Sequence, residues 1–185
     1  MPLKMLLYAQ LGEAINLADN PAYEYKRISI ILFDNIIENL LKKKILEIIF
    51  EKKRNKEIVI FDFEKINNSI NSKYDFEKDI LKNAAKFYLI KKEEQDILSF
   101  CHKTRNNVYH NLLDDFMTID LCISLYFEFF IANFTKLILS WISSCDSRQN
   151  SYKIILERNK VSSYNEIINK LQCIYEKNKS SKFIM

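Results

Sequence analysis

Apolar residues recur along most of this chain every three or four positions, which is the spacing of amphipathic helices. Two local signals add boundaries to the pattern. Asp19-Asn20-Pro21 ends one helix and starts the next, because proline suits the start of a helix but not its interior. Asp75 follows a polar loop and has the character of an N-cap. The pattern predicts helices over about 3–18, 22–50, 75–90, 93–113, 118–144 and 163–178.

The most apolar of these helices, residues 118–144, is the natural place to look for a membrane span. Charged residues interrupt it at Asp120, Glu128 and Lys136, so no run reaches the roughly 20 apolar residues that a span needs. Asp120, Ser124 and Glu128 form one narrow polar stripe on an otherwise apolar helix. Such a helix is buried on nearly every side. We therefore expect a central helix, or one that also contributes to a homodimer interface.

The composition excludes several classes of protein. The chain has one glycine and two prolines, whereas β-rich folds need both residues for tight turns and phosphate-binding loops need several glycines. Segment 57–63 is β-branched and partly alternating, and we interpret it as an extended connector. We predict an all-α bundle of about five to six helices. It forms a single domain over 1–185, with its core in about 22–145 and helices 3–18 and 163–178 packed on it.

The N-terminus, the cysteines and the net charge indicate the cellular location and the ligands to expect. The N-terminus has too short an apolar run for a signal peptide, which predicts a cytoplasmic protein. The four cysteines lack any C-x-x-C pair, which indicates buried free thiols rather than a zinc site or a disulfide framework. We predict no metal and no cofactor. The net charge of +4 is compatible with an RNA partner, and the basic cluster within 42–56 either follows an RNA backbone or is a solvated helix end.

Both histidines of the chain lie in one segment, residues 100–110. On a helix, His102, Asn106 and His110 form one stripe, and Arg105 and Tyr109 form another about a hundred degrees round. An imidazole moves a proton near neutral pH. A guanidinium offers planar donors to a phosphate and keeps its charge. These groups suit a metal-independent cleavage of RNA in which the ribose 2′-hydroxyl attacks the adjacent phosphorus.

Three other interpretations of this segment are open. A metal site is one, but His102 and His110 stand about 12 Å apart along the helix, too far to share an ion, and Asp114 adds only a second ligand. A polar helix face packed against another helix is the second, with His102 as a surface residue. A serine or cysteine nucleophile that uses one of these histidines is the third, but Cys101 adjoins His102 in sequence and so points elsewhere on a helix.

The run Arg105-Asn106-Asn107-Val108-Tyr109-His110 resembles the R-x4-H motif of the HEPN superfamily. More narrowly, it resembles the R-N-x-x-Y-H variant of HEPN proteins in bacterial defence and abortive-infection systems. The setting is similar as well, because an upstream helix carries acidic residues within 34–41 and a long apolar helix follows the motif. The resemblance covers about residues 22–145.

The resemblance implies a helical bundle that forms a homodimer, with two motif helices facing each other across a composite cleft. It also implies a metal-independent endoribonuclease of a toxin or defence system. Arg105 and His110 would be the catalytic pair, and Asn106 would position the histidine or the RNA substrate. Tyr109 would support the site, and Glu38 would be the acidic residue from the earlier helix.

Some features limit what the resemblance implies. Leu112 stands where HEPN toxins paired with nucleotidylating antitoxins carry a tyrosine, so we do not expect that pairing. Any antitoxin or sensor would be a separate chain. The alternative function is a catalytically silent HEPN-like module that dimerises, or binds nucleotide or RNA, as a scaffold.

Overall fold

The computed structural model describes residues 3–55, 75–110 and 115–137, and every regular element in these ranges is helical. The elements are α1 (Leu3–Ala18), α2 (Tyr23–Arg54), a π-helical segment (Phe76–Leu81) that continues into α3 (Lys82–Lys86), α4 (Lys92–His110) and α5 (Phe116–Leu137). The predicted all-α class is confirmed for these ranges. The predictions for 57–63, 138–144 and 163–178 lie outside the described residues. Within the described ranges, no helix has the length and apolar character that crossing a membrane requires.

The described residues separate into two compact units. The first takes the residues up to Ile36 and those from Cys101 onwards, and the second takes Ile37 to Phe100. Helices α2 and α4 therefore each contribute one part to each unit. The motif segment from Cys101 to His110 belongs to the first unit. A single domain over the whole chain stays a prediction.

The core of the first unit is built around Phe33 of α2. Its ring centroid lies 5.9 Å from that of Tyr126, 5.0 Å from that of Phe127 and 5.7 Å from that of Phe130, all on α5. All four side chains are almost completely buried. Ser29, one turn before Phe33, donates to the Ala14 carbonyl oxygen at 2.9 Å, which joins α2 to α1. The long apolar helix predicted from the sequence is thus central to this unit.

Helix α5 begins two residues earlier than the apolar pattern predicts. Its start is set by Asp115, whose carboxylate accepts from the Met117 and Thr118 backbone N–H groups at 3.1 and 3.2 Å. Hydrogen bonds from Thr118 lower the pKa of this carboxyl. Of the predicted polar stripe, Asp120 forms an ion pair with the buried Lys26 of α2. One residue of the stripe, Asp120, therefore contacts α2.

In the second unit, the predicted N-cap at Asp75 is confirmed. Its side chain accepts from the Lys78 backbone N–H at 2.9 Å, and the Asp79 carboxylate accepts from the Asp75 N–H at 2.7 Å. This reciprocal pairing satisfies donors that have no partner inside a helix. The next turn is π-helical, and Glu77 within it accepts from the Ser99 hydroxyl of α4 at 2.6 Å.

The helix predicted through Ile90 ends earlier, at Lys86. Tyr88 adopts a left-handed conformation with φ of 55°. Its N–H bonds to the Ala85 carbonyl at 3.0 Å, and the Leu89 N–H bonds to the Ala84 carbonyl at 2.9 Å. This is a Schellman C-cap, in which a glycine is the usual residue. Sequence reasoning missed this stop because a tyrosine occupies the position.

Candidate functional site

Helix α4 places its motif residues in three different environments. Cys101 and Val108 are completely buried and hold the helix in the first unit. The side chains of His102 and Arg105 are half-buried, with 14% and 20% exposed. Tyr109 and His110, in the last turn, are exposed. The motif therefore runs from a packed interior to an open helix end.

A buried carboxylate lies at the centre of the packed end. Asp34 of α2 is only 1% exposed. One of its oxygens, Oδ1, accepts from the Tyr126 hydroxyl at 2.8 Å, and Oδ2 lies 2.9 Å from His102 Nδ1. Arg105 Nε lies 3.3 Å from the same Oδ2. A buried charge is tolerated when it is paired and hydrogen-bonded, and these three side chains meet both conditions.

The contact with Asp34 constrains the protonation of both aromatic partners. A carboxylate only accepts hydrogen bonds, so His102 carries a proton on Nδ1 in this pair. Burial first, and then the negative charge of Asp34, raise the pKa of Tyr126 well above its usual value. Tyr126 is thus held as the neutral phenol and donates its proton to Asp34.

The Arg105 guanidinium is oriented by two asparagines besides Asp34. Its Nη2 donates to Asn35 Oδ1 and its Nη1 donates to Asn106 Oδ1, each at 2.8 Å. The Nε atom is buried and makes no hydrogen bond, although it lies within ion-pair distance of Asp34. Contacts from two helices therefore fix the plane of the guanidinium. A fixed planar cation suits the recognition of a phosphate.

The open end of α4 carries Tyr109 and His110. Their rings meet edge to face, with centroids 4.9 Å apart and an interplanar angle of 87°. Tyr109 is 62% exposed. One residue earlier, the Val108 carbonyl oxygen accepts from Arg27 Nη2 of α2 at 2.9 Å. His110 can therefore reach solvent from a helix end that a second helix contacts.

The structure brings the predicted site residues together in two pairs. Arg105 contacts Asn106, and Tyr109 contacts His110. The fifth predicted residue, Glu38, lies on α2 one turn after Asp34 and belongs to the second unit. The acidic residue that contacts Arg105 in the first unit is Asp34. A role for Glu38 in the site stays a prediction.

Sequence reasoning missed four residues of this cluster, namely Asp34, Asn35, His102 and Tyr126. His102 was expected on the surface, but its side chain is mostly buried and bonds to Asp34. Asn35 carried a weak signal, because it stands within the apolar pattern of α2. Tyr126 carried none, because an aromatic residue in an apolar helix is normally core.

Cys101 does not have the properties of a nucleophile. Its thiol is buried and lies 3.9 Å from the Cys122 carbonyl oxygen. Hydrogen bonding with Cys122 and then burial raise the pKa of the Cys101 thiol far above its usual range. A buried thiol with a raised pKa forms thiolate less readily, which disfavours Cys101 as a nucleophile.

The basic cluster on α2 is partly neutralised. Lys44 Nζ lies 3.0 Å and Lys43 Nζ lies 3.9 Å from the carboxylate of Glu47. Both are one-turn pairs on a helix surface, as expected for a solvated face. An RNA-binding role for this cluster stays a prediction.

The described part of the chain is all-helical, and a network centred on the Asp34 carboxylate joins α2, α4 and α5. A comparison with models of protein families, with curated proteins and with solved structures found no match to the chain. Membership of the HEPN superfamily therefore stays a prediction that depends on the motif residues.

Proposed function

We propose that this protein is a metal-independent, HEPN-type endoribonuclease of a bacterial defence or toxin system. The observation that supports the proposal is the arrangement of the motif on α4. The Arg105 guanidinium is fixed by Asn35, Asn106 and Asp34, and the same helix ends in the exposed imidazole of His110. A fixed cation and an accessible proton-transfer group are the two parts that this chemistry needs.

In the proposed reaction, the ribose 2′-oxygen attacks the adjacent phosphorus and the bond from phosphorus to the 5′-oxygen breaks. The products are a 2′,3′-cyclic phosphate and a 5′-hydroxyl. His110 either removes the proton of the 2′-hydroxyl or protonates the departing 5′-oxygen, and solvent water exchanges the proton at the other oxygen. Arg105 stabilises the negative charge that develops on the phosphoryl oxygens. In this proposal the imidazole and the guanidinium take the roles of proton transfer and charge stabilisation that a metal ion would otherwise fill.

A homodimer completes the proposal. Arg105 and His110 are five residues apart on one helix, which separates them by about 7.5 Å along the axis. Two motif helices facing each other would bring Arg105 of one protomer and His110 of the other to one phosphate. The partners proposed are RNA, a second copy of the chain and a separate antitoxin or sensor protein, in the cytoplasm.

The decisive experiment is cleavage of an end-labelled structured RNA in the presence of a chelator. We expect the wild type to cut and to leave 2′,3′-cyclic phosphate ends, and we expect His110→Ala to lose at least about a hundredfold in rate. Asn107→Ala is the matched control, since Asn107 is an exposed residue of the same helix at a variable motif position. Cleavage that is unchanged in His110→Ala would contradict the proposal.

A second candidate function, a catalytically silent scaffold, is favoured by one observation. The Arg105 side chain is only 20% exposed, and its guanidinium already contacts Asp34, Asn35 and Asn106, as a purely structural arginine would. Under this alternative, Arg105→Ala lowers stability and no RNA is cut by either protein. Arg105→Lys separates the two functions, because a lysine keeps the charge but loses the planar donors. We expect a large loss of cleavage in this variant with RNA binding preserved.

A further inference from the structure

A tyrosine of the second unit adopts a backbone conformation that tyrosine disfavours. Tyr88 has φ of 55° and lies in the C-cap that ends α3. In this left-handed region the Cβ atom of any residue except glycine crowds the backbone. The position lies well inside the described range 75–110. Residues held in such conformations cluster at sites that bind ligands.

The fold explains the turn at Tyr88 but not the choice of a tyrosine. Directly after it, Leu89 and Ile90 are buried in the core, and Ala84 on α3 is completely buried. The left-handed residue thus turns the chain so that the next side chain is buried, as is common in a Schellman cap. Tyr88 itself is 85% exposed. A glycine would make the same turn more easily, and the aromatic ring adds little to the core.

The chain around Tyr88 is basic and contains no acidic residue between positions 82 and 92. Lys82, Lys86 and Lys91 are exposed. Chain connectivity keeps the Cα atoms of Lys86 and Lys91 within about 7 Å and about 11 Å of that of Tyr88. We call Tyr88 and these three lysines the Tyr88 surface. It combines an exposed aromatic ring with positive charge.

Three acidic residues follow in the first turns of α4, and two of them make local contacts. Glu94 accepts from the Lys91 backbone N–H at 2.6 Å, and Asp96 pairs with Lys92 at 3.0 Å. Because Lys92 already has a counter-ion, we leave it out of the Tyr88 surface.

We propose that the Tyr88 surface binds single-stranded RNA, with one base stacked on the Tyr88 ring and the flanking phosphates contacted by the lysines. Proteins that bind single strands combine aromatic stacking with cations along the backbone. The cations select a polyanion and the ring selects a flat partner, and every nucleotide of RNA offers both. The proposal rests on the proposed ribonuclease function, because it names a binding surface for the substrate of that enzyme. Binding itself can be measured without cleavage.

The probe is a fluorescein-labelled oligouridylate of about twelve nucleotides, methylated at every 2′-oxygen. It has no 2′-hydroxyl to attack the phosphorus, so its fluorescence anisotropy reports binding alone. Tyr88→Phe keeps the aromatic face, and Tyr88→Leu removes it. We expect Kd to rise roughly fivefold to a hundredfold in Tyr88→Leu and by less than about twofold in Tyr88→Phe.

Tyr88→Gly distinguishes binding from a structural role. Glycine adopts the left-handed conformation without crowding, so we expect the melting temperature of this variant to rise by a few degrees. Its Kd should rise as in Tyr88→Leu. A tyrosine that only supported the fold would give the opposite pattern, with a lower melting temperature and an unchanged Kd, and that result would overturn the proposal.

The lysines have a matched control in Lys78, an exposed residue of the preceding π-helical segment that pairs with Asp75 at 3.6 Å. Lys91→Gln and Lys78→Gln each remove one positive charge. We expect only Lys91→Gln to raise Kd and to lower the slope of log Kd against log salt concentration, by about 0.7. Equal effects of the two variants would contradict a specific role for the Tyr88 surface.

The remaining outcomes separate this proposal from the proposed function. Cleavage of RNA by the wild type, with the same Kd for the probe in wild type and Tyr88→Leu, would support the ribonuclease and overturn the stacking surface. Tyr88-dependent binding without cleavage would support the surface and contradict the ribonuclease. A wild type that ignores the probe but binds vesicles of phosphatidylcholine and phosphatidylserine would overturn the assignment to RNA in favour of a membrane.

Discussion

The two ends of the motif segment in α4 differ in burial and in their polar contacts. At the first end, His102 and Arg105 close around the buried carboxylate of Asp34. At the second, Tyr109 and His110 are exposed in the last turn of the helix. We call the first the closed end and the second the open end. The motif pairs Arg105 of the closed end with His110 of the open end. The closed end thus fixes a charge, and the open end leaves an imidazole accessible.

The contrast predicts different roles for two histidines that lie eight residues apart. His102 bonds to the buried carboxylate of Asp34. Without His102 that carboxylate loses a donor, so the removal of His102 should lower the stability of the fold. His110 contacts only the neighbouring Tyr109 ring among the interactions found in the described residues, so its removal should affect chemistry. The following predictions test this division.

The largest effect is expected for Asp34→Ala. The substitution removes the acceptor of Tyr126 and His102 and leaves the charge of Arg105 without its buried counter-ion. Breaking a buried ion pair from one side costs about 3–5 kcal/mol. Urea unfolding followed by circular dichroism measures this loss. A loss under about 1 kcal/mol would mean that the closed end does not stabilise the fold.

Tyr126→Phe should lower the free energy of unfolding by about 2 kcal/mol, since it deletes a hydrogen bond to a charged group. A pH dependence accompanies this effect. The raised pKa of Tyr126 means that the folded state keeps a proton that the unfolded state releases above about pH 10. Its contribution to stability is complete below that pH and falls above it, by up to about 1.4 kcal/mol per pH unit.

The alkaline measurement compares wild type and Tyr126→Phe between pH 9 and 11. The chain has ten tyrosines, so only the difference between the two proteins reports on Tyr126. We expect the wild type to lose stability more steeply than the variant. Equal slopes would show that Tyr126 is not held as the neutral phenol.

The two histidines provide the most direct test of the contrast. His102→Ala should lower the free energy of unfolding by about 1–2 kcal/mol, because the Asp34 carboxylate loses a donor. His110→Ala should change it by no more than about 0.5 kcal/mol, as is usual for a surface substitution. Both variants are unfolded in parallel under the same conditions. A larger loss of unfolding free energy in His110→Ala than in His102→Ala would mean that His110 is the histidine that stabilises the fold.

The smallest effect involves no mutation. Diethyl pyrocarbonate acylates accessible imidazoles, and the side chain of His102 is mostly buried while His110 is exposed. We expect His110 to be modified first in the native protein and His102 to react at a comparable rate only after unfolding. Peptide mapping by mass spectrometry measures both rates. Equal native rates would indicate that the closed end opens readily.

Much of the helical architecture follows from local signals. Asn20-Pro21 separates α1 from α2, and Asp75 caps the following helix, because both act through hydrogen bonds and dihedral limits within a few residues. The stop at Tyr88 does not follow from any local signal. The only glycine, Gly12, lies inside α1, and a tyrosine adopts the left-handed conformation instead.

The sequence by itself determined the helical class of the described residues, the approximate starts of their helices and the motif on α4, because periodicity and capping are local. It also placed Arg105 and Asn106, and Tyr109 and His110, next to each other on one helix. Only the tertiary structure decided that Asp34 contacts Arg105 and that His102 is an internal residue. The physical reason is that Asp34 and Glu38 are one turn apart on α2 and chemically alike. Which carboxylate reaches Arg105 depends on how two helices pack, and sequence spacing carries no information about that.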